Sequence, residues 1–245
     1  MPAPEARVTV AVSTAVFGVR ADASGAPRLH VALVPRMREP FLDRWALPGT
    51  WLAADEGLAD AAARVAAETV PGPVRRLEQL AAFGAVDRSP TGRVLTVAHW
   101  ALSPALDDDG AAPSHGGGLD VAGLPAGVHV RWQRADAPPA MAFDHAEILT
   151  AAVARLRADL PRAGVAHALL GPSFTLAELR AVHEAVLGRT LDAANFRRAT
   201  LATGVLEETG EVRAGTRHRP PKLYRYRPAD GAPPPAAPDD PGDLS

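Results

Sequence analysis

The sequence predicts an α/β or α+β domain followed by a small winged helix-turn-helix domain, and three observations carry that prediction. Four strand-like runs surround one strongly helical run between residues 8 and 102. Two helix signals meet across a short turn after Phe174. A pair of short β-rich runs flanking a Gly-, Arg- and Pro-rich segment then closes the ordered part of the chain.

Taken in order, residues 8–17 (VTVAVSTAVF) set Val8, Val10 and Val12 against smaller or polar neighbours. Residues 28–35 (RLHVALVP) are similarly β-branched, so a hairpin turning near Gly25 is expected. Leu58, Ala61, Ala62 and Val65 then fall at helical spacing, and Pro71 ends that helix. Residues 74–83 and 93–102 read as two further strands joined by the turn DRSPTG. From Leu106 to Gly127 the chain is rich in Asp, Gly and Pro, and no core is expected there.

At Phe143 a helix begins. Asp144 and Glu147 resemble a capping box, Phe143 and Ile148 a hydrophobic staple, and Ile148, Ala152 and Leu156 continue the stripe to Pro161. Residues 161–173 read as a linker. The same signals recur in Thr175 with Glu178 and in Phe174 with Leu179. A helix carrying Leu176, Leu179, Val182 and Val186 stops at Gly188, and a second opens near Asp192, carries Phe196 and stops at Gly204. Residues 205–209 and 222–226 are the two strands of a wing. The tail from 229 to 245 holds Pro and Asp but almost no large apolar residue, which predicts disorder. The expected boundaries are therefore 7–160 for the first domain, 161–173 for the linker and 174–228 for the second domain.

The 26 basic and 28 acidic residues give a net charge of -2, which excludes a polycationic coat protein. The balance is a sum of unlike parts: net -2 over residues 1–173, +4 over 174–228 and -4 over 229–245. Absence of cysteine excludes disulfides, thiolate metal sites and cysteine nucleophiles. The start MPAPEARVTV lacks the basic region and apolar core of a signal peptide. No apolar run approaches the roughly 18 residues of a membrane helix, so a cytoplasmic protein without membrane contact is expected.

Residues 45–70, WALPGTWLAADEGLADAAARVAAETV, carry a resemblance to the Nudix box, G-x5-E-x7-R-E-U-x-E-E-x-G-U. Glu56, Arg64 and Glu68 match it. Thr50 stands at the glycine, Val65 at the glutamate after the arginine and Thr69 at the second closing acid. Acids at 65, 68 and 69 would converge on one helix face and hold Mg²⁺ against substrate phosphates. Only Glu68 remains, and one carboxylate does not build that shell. The resemblance implies an α/β/α sandwich with a mixed sheet. The stretch FGAVDRSPTGRVLTVAHWAL looks like the strand-loop-strand sequence downstream of the box in the ADP-ribose-type branch. Arg36, Glu56, Arg64, Glu68, Asp87 and Arg88 are the candidate ligand-binding residues, with Trp45 or Phe83 as a surface for a base or ribose. The bland alternative is a solvated Arg64–Glu68 pair, with His99 and His145 structural.

Residues 174–227 resemble the carboxy-terminal winged helix of Nudix-related transcriptional regulators, the NrtR-like family, through FTLxEL, EAVLG, LDxxNFRR and RxRPxxLYRY. Ala194 and Ala199 depart from it where basic residues are common. The resemblance implies repression of genes, often of NAD metabolism, relieved when ADP-ribose or a related nucleotide binds. The residues themselves agree: Asn195 and Arg198 share one helix face, and Asn suits adenine as Arg suits guanine in the major groove. Thr190, Arg197, Arg213, Arg217, Arg219, Lys222 and Tyr224 complete the DNA-binding candidates, the wing residues facing phosphate. A homodimer on a double-stranded operator with a nucleotide effector is expected. No cofactor is required. Mg²⁺ belongs only to the alternative, an active Nudix pyrophosphohydrolase with metal on Glu56, Glu68 and Glu147. A third reading is a ligand-binding protein whose winged helix only assembles subunits.

Overall fold

The computed structural model describes residues 7–70, 72–104, 130–162, 164–213 and 220–227. The Asp/Gly/Pro-rich loop at 106–127, Arg217, Arg219 and the 229–245 tail lie outside the described residues.

A long strand β1 (Thr9–Ala21) turns back at Gly25 into β2 (Pro27–Pro35), followed by the short strands β3 (Trp45–Ala46) and β4 (Gly49–Trp51). Helix α1 (Leu58–Thr69) is next, then β5 (Arg76–Phe83), β6 (Val94–Leu102) and β7 (Arg131–Arg134). These strands form one mixed seven-stranded sheet of order β3-β2-β1-β6-β5, with β4 added to β1 and β7 to β2. β1 and β6 are parallel, Thr9 to Phe17 matching Val94 to Leu102, while β1–β2 and β5–β6 are antiparallel. β4 fits against β1 because Gly49 has no side chain: a Cβ there would stand 2.6 Å from the Val12 carbonyl oxygen.

Alternation along β1 sends Val12 and Val16 to one face and Ala15, Phe17 and Val19 to the other. α1 covers the first face with Ala61, Ala62 and Ala66, small residues that let it sit close to the sheet, and Val65 of the same helix is also buried. Thr14 and His99 pair in register on that same face and are buried there.

The second face is covered by α2 (His145–Asp159) through Ile148, Ala152 and Leu156. The predicted capping box at its start is not formed. Asp144 occupies the cap position but makes no side-chain cap bond, because Arg88 has captured its carboxylate. Phe143, with φ of 51°, turns to the Phe41 ring.

The segment 161–173 is not the linker expected. It carries a short 3-10 helix (Ala166–Leu169), and Val165, Ala166, Ala168 and Leu169 are buried in the main core. The apolar side chains in the segment account for this, since exposing them would forfeit burial energy.

α3 (Leu176–Leu187) has the predicted capping box, Thr175 accepting from the Glu178 amide and Glu178 from the Thr175 amide. Gly188 closes it in the left-handed conformation, φ 69°. Its buried stripe, Leu179, Val182 and Val186, belongs to the same core as Leu29, Val31 and Leu33 of β2. Burying each such side chain contributes roughly 1.5–3 kcal/mol. The helix-turn-helix therefore begins as part of the wall of the first domain.

α4 (Ala193–Ala202), β8 (Leu206–Val212) and β9 (Lys222–Tyr226) complete the chain of elements. β8 and β9 pair antiparallel, and Phe174 adds a bridge to Tyr224 on the outer edge of β9. Among the described residues no helix is long and apolar enough to cross a membrane.

Candidate functional site

A cavity of about 320 Å³ opens where the C-terminal end of β2, the β3–β4 segment and the start of α2 converge. Arg36, Leu47, Thr50, Trp51, Arg88, Phe143 and His145 line it, and the hydroxyls of Ser13 and Thr96 meet at 3.1 Å on the strands behind. The Arg36 guanidinium lies 4.6 Å from the Phe143 ring centroid, and Phe41 packs edge-on against the same ring at 4.7 Å. Phe41 and Phe143 both have positive φ, a conformation bulky residues seldom adopt, and their ring contact helps hold both turns. Arg36 Nε donates to the Pro40 carbonyl at 2.8 Å, which fixes its plane and leaves its terminal nitrogens for a ligand.

His145 is a structural and chemical element of this cavity. The Leu47 amide donates to its Nδ1 at 2.9 Å, so that nitrogen is the acceptor and the ring proton sits on Nε2. Burial pushes its pKa down to about 4, with Asp144 opposing and Arg88 and Arg36 reinforcing the shift. It is therefore a neutral donor at neutral pH.

The cavity gathers two of the six predicted ligand residues, Arg36 and Arg88, and changes the role of the second. Arg88 is bound through two nitrogens to Asp144, at 2.8 and 2.7 Å, with its side chain only 5% exposed. It is a buried structural cation rather than a free phosphate hook. Asp87 is exposed and does not line the cavity. Glu56, Arg64 and Glu68 do not line it either. Arg64 donates to both Glu56 oxygens at 2.9 Å and approaches Glu68 at 3.9 Å, so the surviving acids of the box share one arginine. That hydrogen bonding lowers the Glu56 pKa, whereas burial raises that of Glu68.

These acids do not fit Mg²⁺. Both face Arg64, and no group of three potential ligands converges among the described residues. Glu147 is on α2, across the sheet from α1.

Trp45 and Phe83 pack against the main core, and the aromatic surfaces of the cavity are Phe143 and Trp51. Trp51 is 44% exposed at the cavity rim. Its place on the three-residue strand entering the box was a signal that sequence reading missed. His99 lies buried under α1, away from the cavity.

The second candidate surface is built on α4. Asp192 caps it by accepting from the Asn195 amide at 2.8 Å. Glu184 accepts from the Leu191 amide at 2.8 Å and holds the turn between α3 and α4. No α4 residue is fully buried. Phe196 anchors the helix, edge-on to His183 at 5.1 Å, and Asn195, Arg197 and Arg198 are exposed together, with Thr190 exposed in the turn before them. In the wing, Arg213 is paired with Glu178, and Lys222 with Glu208 at 2.8 Å. Tyr224 is not a surface residue: it is 2% exposed, and its hydroxyl donates to Glu208 at 3.3 Å. Its backbone bridge to Phe174 places it in the core, which replaces its predicted phosphate contact.

Comparison with known proteins places these two surfaces in context. The family described as the NrtR DNA-binding winged helix domain matches residues 166–226. The ADPR responsive transcriptional repressor NtrR of Acinetobacter baylyi is 31% identical over 205 residues, covering 81% of this chain and 76% of that protein. The crystal structure of Shewanella oneidensis NrtR complexed with a 27mer DNA is similar with a TM-score of 0.70 at 29% identity, covering 89% of this chain and 94% of that one. A MutT/nudix family protein from Enterococcus faecalis is similar with a TM-score of 0.66 at 25% identity, covering 91% and 89% of the two chains.

Proposed function

The chain belongs to the NrtR family of Nudix-related transcriptional regulators, and from that premise we propose that it is a repressor that binds operator DNA through its winged helix and is released by ADP-ribose or a related nucleotide. The observation that carries this reading is the recognition-type helix α4, which has no fully buried residue and shows Asn195, Arg197 and Arg198 to solvent beside an Arg- and Lys-bearing wing.

In this reading α4 enters the major groove, Arg197 and Arg198 supply its cationic contacts, and Thr190 meets the backbone at the turn. Arg213 and Lys222 reach phosphate by exchanging Glu178 and Glu208, exposed pairs that cost little to open. Arg36 and Phe143 hold the nucleotide, the guanidinium donating to phosphate and the ring stacking, while neutral His145 offers its Nε2 proton. The repressor works in the cytoplasm as a homodimer, whose two α4 helices meet half-sites about one helical turn apart. It needs no metal.

The test is a gel shift of the full-length protein on the promoter region of its own gene, with ADP-ribose titrated in. A shift that weakens as salt rises and is reversed by ADP-ribose supports the proposal. Failure to shift any duplex at low salt sinks it.

A further inference from the structure

Phe196 fixes how α4 is turned on the rest of the protein. It packs against the main core, and its ring lies edge-on to His183 of α3 at 5.1 Å. At about 100° per residue, Ala194 and Arg198, two positions before and after it, each project about 160° away from it. They are surface neighbours four residues apart and make the middle of the outward face. Asn195 and Arg197 stand about 100° from Phe196 on the two flanks. All four are exposed. Leu201, 39% exposed, continues the outward face into the last turn of the helix.

This geometry separates the two alanines that stand where the family commonly has basic residues. Ala199 lies only about 60° from Phe196, toward the anchored side. Ala194 lies at the middle of the outward face in the first turn, which Asp192 fixes by accepting from the Asn195 backbone amide at 2.8 Å. The N-terminal residues of a recognition helix are those that meet base edges.

A methyl side chain neither donates nor accepts a hydrogen bond, and it is short enough to let the helix backbone approach the groove floor. Against the polar edge of adenine, guanine or cytosine it displaces water and returns no hydrogen bond. Thymine shows a methyl group of its own in the major groove, at C5.

We propose that Ala194 is a specificity-determining residue that reads a thymine of the operator through its 5-methyl group. The inference rests on the operator-binding reading above and deepens it.

The test begins with a duplex that the full-length wild type selects from a randomised library. Each thymine of that duplex is then replaced in turn by uracil, which removes only the 5-methyl group, and affinities are measured for the wild type, Ala194→Gly, Ala194→Ser and Ala199→Gly. For the wild type, uracil at one thymine in each half-site should weaken binding about fourfold, the scale of one buried methyl group. In Ala194→Gly the same replacement should cost less than about twofold. Ala199→Gly loosens the helix by a similar amount and should keep the full penalty. Ala194→Ser retains the side-chain carbon without the propensity change of glycine, and in a repeated selection it should relax the preference for thymine at that position. The inference is overturned, with operator binding intact, if no uracil replacement weakens the wild type, if Ala194→Gly keeps the full penalty, or if Ala199→Gly abolishes it equally. Selection of no sequence by the wild type overturns the operator-binding reading itself.

Discussion

The Arg88 guanidinium and the Asp144 carboxylate, 56 residues apart in sequence, form two parallel hydrogen bonds of 2.8 and 2.7 Å with side chains only 5% and 13% exposed. They tie the β5–β6 loop to the first turn of α2 at the edge of the ligand cavity. Removing one member leaves the other charge buried without a partner. Arg88→Ala should therefore cost about 3 kcal/mol of folding stability, and replacing the pair together, as Arg88→Met with Asp144→Leu, should recover most of that loss. Urea unfolding of the single and double variants checks it; a loss under about 1 kcal/mol for Arg88→Ala would show the pair to be a solvated one.

The position of the degenerate box separates two kinds of residue that the sequence groups as candidates. Arg36 lines the cavity and has terminal nitrogens available, whereas Glu68 lies on α1 and leans on Arg64. Arg36→Ala should weaken ADP-ribose binding about tenfold or more, the scale of one charge-assisted hydrogen bond. Arg36→Lys should rescue little, because an ammonium lacks the planar fork and stacks less well on Phe143. Glu68→Gln should leave the affinity within about twofold. Calorimetric titration of the three variants decides it, and a tenfold loss in Glu68→Gln would return α1 to the binding site.

Features with a local cause were legible in the sequence. The alanine stripe of α1, the capping box of α3 and the stop at Gly188 each depend on neighbours within one or two turns, and each is found where expected. Asp144 misled because its local signal, a box with Glu147, competes with a cation that only the fold brings near. Strand β7 was missed because Arg131–Arg134 has little strand character by itself, and its partner is β2, far away along the chain. The role of residues 161–173 was hidden for the same reason, since a short Ala- and Leu-bearing segment shows its burial only once α3 is seen on the sheet. Arg36 was found from its chemistry. Its aromatic partner Phe143 was assigned to a staple instead.

Helix α2 has one end at the cavity and the other at the helix-turn-helix. His145, its first residue, lines the cavity, and in its last turn Arg157 Nε donates to the Val186 carbonyl at 2.9 Å, just before the Gly188 turn that leads toward α4. A ligand that shifts the start of α2 has a direct mechanical path to α3. Arg157→Ala should reduce the effect of ADP-ribose on DNA affinity by about 1 kcal/mol, with affinity for each ligand alone little changed. Measuring ADP-ribose affinity with and without bound duplex gives the coupling from both directions, which must agree. An unchanged ratio would exclude this contact from the relay.

His145 also sets a pH dependence whose sign comes from its burial. Accepting from Leu47 keeps Nδ1 unprotonated, and burial holds the folded pKa at about 4 against about 6.5 in the unfolded chain. Between those values the unfolded chain binds the extra proton, so stability falls as pH drops through that window. Above about 6.5 neither state binds it and the contribution is complete. The buried His99 and the half-buried His30, His167 and His183 are also shifted down by desolvation and act in the same direction, so the wild type alone does not isolate the effect. Asparagine at this position keeps an acceptor near the place of Nδ1 but does not titrate. From pH 7 to pH 5 the wild type should lose about 2 kcal/mol more stability than His145→Asn. Parallel pH curves for the two proteins would mean that His145 is protonated in the folded state, and the Leu47 amide would then need a different acceptor.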